Sequence, residues 1–311
     1  MFQKKFFMLL TAILFASNIF LSPIVSAATL TYEQINPQVE GYVASLPTAK
    51  KDYKSRQRPI LIQGAMTAEV GNLIKALENP VVYWHMHYLF VAGTYKNYPV
   101  VVSRTGIGME NAAASTVLAV EKFNPIAVIN QGTAGAYSPN LHIYDIVIGD
   151  KSINCSAYKE EYSAAGEYDI TKQILRGIPA YDKDDKTSTE FVRFSEFKPD
   201  EKLLKVAQTT AALNRNLNVT LGTIGSANGW NNAIDHINFL RDNYGVDCEE
   251  METNAVAQMC HTADVPFISI RIISDNSVTG EPFELATALP CQDFSLLVAE
   301  KLIRNIKAGK F

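Results

Sequence analysis

Clustered positive charge is almost absent from this chain. Its 28 Lys and Arg are outnumbered by 32 Asp and Glu, for a net charge of −4. The one basic cluster, Lys50, Lys51, Lys54, Arg56 and Arg58, reads as a solvated linker. Phosphate backbones are held by grouped Lys and Arg, so the acidic balance argues against nucleic acid as a partner. Cysteine is also sparse. Cys155, Cys248, Cys260 and Cys291 form no CxxC and no metal-ligand spacing, and none has an obvious His partner for nucleophile chemistry. Cys248 and Cys260 bracket a predicted helix and would stand about 18 Å apart, beyond disulfide reach. Pairing of Cys155 or Cys248 with Cys291 stays open in an oxidising compartment. Internal repeats and low-complexity linkers are missing, so residues 28–311 read as one domain. Beyond residue 27 no stretch is apolar enough to span a bilayer, and no stable membrane insertion is expected once the leader is removed.

The first 27 residues have the layout of a secretory signal peptide. Lys4 and Lys5 precede an apolar run from Phe6 to Leu21, and Val25-Ser26-Ala27 offers a small-x-small cleavage site. That run is short for a bilayer span and Pro23 breaks the chain just beyond it, which weighs against an uncleaved anchor. No cysteine lies near the cleavage site, against a lipoprotein anchor. The expectation is an exported protein, periplasmic or secreted. Removing the leader leaves 26 basic against 32 acidic residues and a net charge of −6.

The rest of the chain alternates between strand and helix patterns. Strands are expected at Pro59–Gln63, Val81–Ala92, Tyr98–Ser103, Pro125–Asn130, Ile143–Gly149, Val219–Ser226 and Val265–Ile273. Helices are expected at Thr67–Leu77, Glu110–Phe123, Asp200–Leu213, Asn231–Asn243, Met251–Cys260 and Phe294–Ile306. This order indicates an α/β fold, a three-layer α/β/α sandwich around a mixed central sheet. Residues 151 to about 200 break the rhythm and read as a surface excursion.

Ligand crevices of open α/β sheets lie beyond the carboxyl ends of the strands. Four segments fall at such ends: Gly64–Glu69, the Gly132-Thr133-Ala134-Gly135 turn, Ser226–Trp230, and Arg271–Asp275. Each also has a plainer reading. Glu69 suits the first turn of any helix, as do Asp247, Glu249, Glu250 and Glu252 leading into the next predicted one. Asp275 suits a turn, and Trp230 an ordinary core. Gly132 and Gly135 suit a tight bend. His85-Met86-His87 would put two imidazoles on one strand face, and with no third ligand evident this reads as a packed face rather than a metal site.

Taken together, the segments resemble the 5′-methylthioadenosine/S-adenosylhomocysteine nucleosidases of the nucleoside phosphorylase superfamily. The matching stretches are Ile60–Val70, Thr105–Ala113, Val128–Gly135, Tyr144–Ile148, Glu250–Cys260 and Val265–Asp275, in family order over roughly half the chain. The resemblance implies a nucleoside phosphorylase-like fold, a homodimer, and hydrolysis of a purine nucleoside by water without metal or organic cofactor. It implies that Glu69 activates the water and that Asp275, steadied by Ser274, delivers a proton toward purine N7. It places Met251 and Glu252 under the ribose and Trp230 on the base, with the Asn231 backbone beside it. Gly135 would lie against the nucleoside. Met66, Thr133, Ala134, Glu250 and Arg271 complete the expected substrate-binding set.

Phosphorylase relatives typically carry Arg where this chain has Asn130, which favours water over phosphate as the nucleophile. A phosphate-dependent phosphorylase and a non-catalytic nucleoside-binding or storage protein are the two alternatives. The chain departs from the family pattern in having Thr67-Ala68 before Glu69 rather than two more acids. It also has Trp230 in place of the usual Phe, and a longer excursion after Lys151.

Overall fold

The computed structural model describes residues 32–181, 187, 190–214 and 216–311, so the expected leader, residues 1–27, lies outside the described residues. Helix α1 (Tyr32–Ser45) comes first and has no counterpart in the sequence expectations. Its Ile35, Val39 and Val43 are buried at four-residue steps, the stripe by which a helix docks. Strand β1 (Ile60–Gly64) is buried throughout. Ile60 and Ile62 enter one core cluster and Leu61 another, as in strands with helices on both faces. Helix α2 (Thr67–Lys75) comes directly after it.

The expected single strand Val81–Ala92 is instead a hairpin of β2 (Glu78–His85) and β3 (Tyr88–Tyr95). Its two-residue turn is Met86-His87, with φ of 49° and 67°, the positive values that tight hairpin turns require. His85 and His87 therefore do not share a strand face. Strand β4 (Tyr98–Arg104) pairs back on β3, and α3 (Met109–Phe123) leads to β5 (Ala127–Ala136). The Gly-Thr-Ala-Gly segment is no turn. It lies inside β5, paired along its length with a later strand.

Strand β6 (Ile146–Asn154) runs past Lys151, so the excursion begins only after Asn154. It consists of β7 (Tyr158–Lys159) on β8 (Ile174–Leu175) and β9 (Ile178–Tyr181) on β10 (Phe191–Phe194), and is tied back by buried Phe197 opposite Ser152. Helix α4 (Glu201–Leu213) starts where the Asp200 carboxylate accepts from Leu203 N. Strand β11 (Val219–Ser226), helix α5 (Ile234–Tyr244), strand β12 (Val246–Glu250), helix α6 (Thr253–Ala263), strand β13 (Phe267–Asn276) and helix α7 (Ala288–Lys307) complete the chain. The segment holding Asp247, Cys248 and Glu249, expected to lead into a helix, is thus a strand. All four cysteines are free and buried, so neither open pairing with Cys291 forms.

The main sheet runs β12-β11-β6-β13-β5-β1-β4-β3-β2 and mixes parallel with antiparallel neighbours. Helices α1, α2, α4 and α7 cover one face, while α3 and α6 cover the other. The fold is the expected mixed α/β type with one addition. Strand β12 also pairs with β5, Glu249 opposite Gly135, so β12, β11, β6, β13 and β5 close into a ring. That closure draws the carboxyl ends of β5, β12 and β13 together.

Candidate active site

Strand β1 ends at Gly64, and Ala65-Met66 turns the chain into α2. This puts Glu69 in the first helical turn, buried, where the positive end of the helix dipole favours a carboxylate. Its Oε2 accepts from Ala65 N at 2.8 Å and Met66 N at 2.9 Å. Its Oε1 accepts from Thr133 N at 2.9 Å and Thr133 Oγ1 at 3.2 Å. Four donors fill the four lone-pair positions of a carboxylate. Three of them are backbone groups fixed by the fold; only the Thr133 hydroxyl can rotate.

The glycines of β5 serve close approach. A Cβ at Gly132 would lie 2.6 Å from Glu69 Oε1 and 2.7 Å from Arg271 Nη1, and one at Gly135 would lie 3.1 Å from Asp275 Oδ2. Glu69 and Asp275 thus press on the same strand three residues apart, about 10 Å along it. The register between β13 and β5 shifts between Ile273 and Asp275, and such irregularities re-aim side chains at strand ends. Ser274 Oγ donates to Asp275 Oδ1 at 2.7 Å, and the Trp230 side chain also hydrogen-bonds to Asp275. Burial raises the Asp275 carboxyl above its ordinary pKa, and these two hydrogen bonds pull it partly back.

Both carboxyls line one cleft that opens to solvent. Met66, Thr133, Ala134, Gly135, Trp230, Asn231, Glu250, Met251, Glu252 and Ser274 line it as well. Arg271 does not. It lies behind the wall, 1% exposed, donating to Glu250 Oε2 at 2.5 Å, to Thr253 Oγ1 at 2.8 Å and to Asn130 Oδ1. Glu250 is equally committed, since it also accepts from Ser226 Oγ at 2.5 Å and from the backbone N–H groups of Glu252 and Thr253. This buried pair anchors the start of α6 and so positions Met251 and Glu252. Glu252 accepts from Gly108 N at 2.9 Å, and burial, with the Glu250 charge next, holds its carboxyl well above the carboxylate range.

Sequence reasoning overlooked several lining residues. Phe283 meets Trp230 edge-on, ring centroids 5.2 Å apart, at the rim, and Ile107 stands half-exposed nearby. Tyr137 and Glu249 join at the end of β5. An aromatic two residues after Gly135 was the available signal for Tyr137; nothing local marks Phe283.

Comparison with known proteins shows the family. A family model described as Phosphorylase superfamily matches residues 59–304. The 5′-methylthioadenosine/S-adenosylhomocysteine nucleosidase of Anoxybacillus flavithermus is 32% identical over 252 residues, covering 78% of this chain and 98% of the relative. The Campylobacter jejuni nucleosidase of the same description superposes with a TM-score of 0.64 at 25% identity, covering 79% of this chain and all of that one. The Neisseria meningitidis enzyme, solved with methylthio-immucillin-A, gives 0.63 at 23%, covering 78% and 99%, a likeness of fold. Fold, cleft and sequence coincide: the chain belongs to the phosphorylase superfamily, and within it to the 5′-methylthioadenosine/S-adenosylhomocysteine nucleosidases.

Proposed function

We propose that the protein hydrolyses the N-glycosidic bond of an adenine nucleoside of the methylthioadenosine or S-adenosylhomocysteine type, releasing adenine. The observation that carries this is the placement of Glu69 and Asp275 on one cleft, one at each end of the Gly132–Gly135 stretch. Breaking the C1′–N9 bond leaves an electron pair on the purine and an oxocarbenium-like ribose. Asp275 transfers its proton to N7, so the base departs neutral. A water adds its oxygen to C1′ and gives a proton to Glu69. Because Glu69 already accepts four hydrogen bonds, the water takes the place of the Thr133 hydroxyl, the one donor free to turn. Trp230 supplies an aromatic face for the base, and Met251 and Glu252 lie on the ribose side.

Water is the better nucleophile for this cleft. No Lys or Arg is among its described lining residues, and the Arg271 guanidinium lies behind the wall, bonded to Glu250, Asn130 and Thr253, which disfavours phosphate as the nucleophile. Incubation with methylthioadenosine, with and without phosphate, should give free 5-methylthioribose at the same rate. A phosphate-dependent rate with a sugar 1-phosphate product would reject hydrolysis. No base release from any nucleoside would favour a binding or storage protein.

Export and dimerisation belong to the same reading. The Lys4-Lys5 start with its apolar run supports export, and the half-exposed rim of Ile107, Trp230 and Phe283 supports a second subunit there. Native mass spectrometry of protein from its own host tests both. The expected result is two chains that each begin at Ala28; a single chain starting at Met1 would defeat both.

A further inference from the structure

Beside Glu69, Glu250, Glu252 and Asp275, the cleft is lined by a further carboxyl, Glu249, that the mechanism above does not use. Glu249 lies at the end of β12, paired opposite Gly135 of β5, while Asp275 is paired with Gly135 from the other side. Glu249 is therefore a next neighbour of the proton donor, at the end of the cleft where Trp230 and Asn231 stand, away from Glu69. Tyr137 Oη donates to Glu249 Oε2 and in turn accepts from Asn231 Nδ2 at 3.1 Å. Both donors in this chain point toward the carboxyl, which fixes one of its oxygens. The other has no hydrogen-bond partner among the described residues, although Glu249 lines the cleft. A buried acceptor left open toward a binding cleft calls for a donor on the ligand.

We propose that Glu249 is a specificity-determining residue for the base: its open oxygen accepts a hydrogen bond from the exocyclic amine of an aminopurine, with Tyr137 and Asn231 holding it in place. The inference rests on the nucleosidase reading and deepens it. In a purine, the C6 substituent adjoins N7, so a group next to the N7 proton donor reaches that substituent. An amine satisfies the carboxylate, whereas a carbonyl oxygen would set two acceptors against each other. Burial pushes the Glu249 carboxyl up to about 7, with the Tyr137 hydrogen bond holding it down and the Glu250 charge adding to the rise. The other titratable or charged groups around it are Cys155, whose thiol burial also raises, Arg241, reaching the Tyr137 carbonyl at 3.5 Å, and Asp275 across Gly135.

The test measures binding of free adenine, unsubstituted purine and hypoxanthine by calorimetry between pH 5.5 and 8.5. The wild type should prefer adenine by roughly 10- to 100-fold, the range expected for one hydrogen bond to a charged group. Because Tyr137 already donates to one Glu249 oxygen, protonation puts the hydrogen on the open one and turns it into a donor, so adenine affinity should rise with pH through about 7. Glu249→Gln, which keeps Asp275, should lose both the preference and that rise. Tyr137→Phe removes a donor that stabilises the carboxylate, so the rise should move to higher pH. An unchanged preference in Glu249→Gln, or no upward shift in Tyr137→Phe, overturns the proposal. If the wild type still releases adenine from methylthioadenosine in that case, the nucleosidase reading stands and only this inference falls.

Discussion

Asp275→Asn should lower kcat/KM for adenine release by about 10²- to 10⁴-fold while leaving the fold intact, the range usual for loss of a positioned acid. The substitution preserves shape, and Ser274 Oγ can still donate to the remaining oxygen as it does to Asp275 Oδ1 at 2.7 Å. The transferable proton is lost. Burial disfavours the charged carboxylate and raises the pKa of Asp275, which keeps more of the acid form available at a given pH. The wild-type rate therefore falls as pH rises through the raised pKa of Asp275, and the variant, having no such proton, lacks this alkaline decline. Initial rates of adenine release across pH, with thermal melts of both proteins, check the prediction. An Asn variant with wild-type rates would remove Asp275 from the mechanism.

Arg271→Met should produce the largest loss of stability, about 3–5 kcal/mol, the usual result of stripping one partner from a buried ion pair. Glu250 and Arg271 are both almost wholly buried and lie 2.5 Å apart. Removing the guanidinium leaves Glu250 without its ion-pair partner and facing a nonpolar side chain, and takes one donor each from Asn130 Oδ1 and Thr253 Oγ1. A fall in Tm of roughly 10 °C is expected for a domain of this size. Adding Glu250→Gln should recover most of it. With its oxygen at the Oε2 position the amide still accepts from the backbone N–H groups of Glu252 and Thr253, while its NH2 faces the Ser226 hydroxyl, which can accept, and no buried carboxylate is left without its partner. If the single variant melts with the wild type, the pair does not anchor α6. Activity should fall in both variants, because Met251 and Glu252 are held by the segment this pair supports.

Much of the fold was legible because local pattern and tertiary demand agreed. Strand β11 lies where Val219–Ser226 was expected, and α3 begins within a residue of the expected Glu110–Phe123 helix. Strand β1, buried on both faces, needs a short, wholly apolar run, and Ile60-Leu61-Ile62 is one. The failures occur where long-range partners override local chemistry. Three acids in the five residues of β12 read as the start of a helix. They form a strand because β11 and β5 supply its hydrogen bonds, Tyr137 meets Glu249, and Arg271 meets Glu250. The Gly132–Gly135 segment reads as a turn, yet its glycines are needed inside β5 so that Glu69, Arg271 and Asp275 can press against it.

For the site, the order of residues along the chain already names the groups available. Glu69 follows the end of β1 in the first turn of α2 and Asp275 lies at the end of β13, and strand ends face the crevice in this class of fold. Met251, Glu252 and Trp230 obey the same logic. Which of these groups meet substrate depends on the folded arrangement. Arg271 lies in a strand buried throughout, and it meets the buried Glu250 behind the wall rather than the substrate cleft. Tyr137 and Glu249 stand more than a hundred residues apart, and only the β5–β12 pairing joins them at the cleft. Hydrophobic periodicity specifies a strand's faces from its own residues. Partnership among buried polar groups depends on residues remote in the chain, and no local pattern carries it.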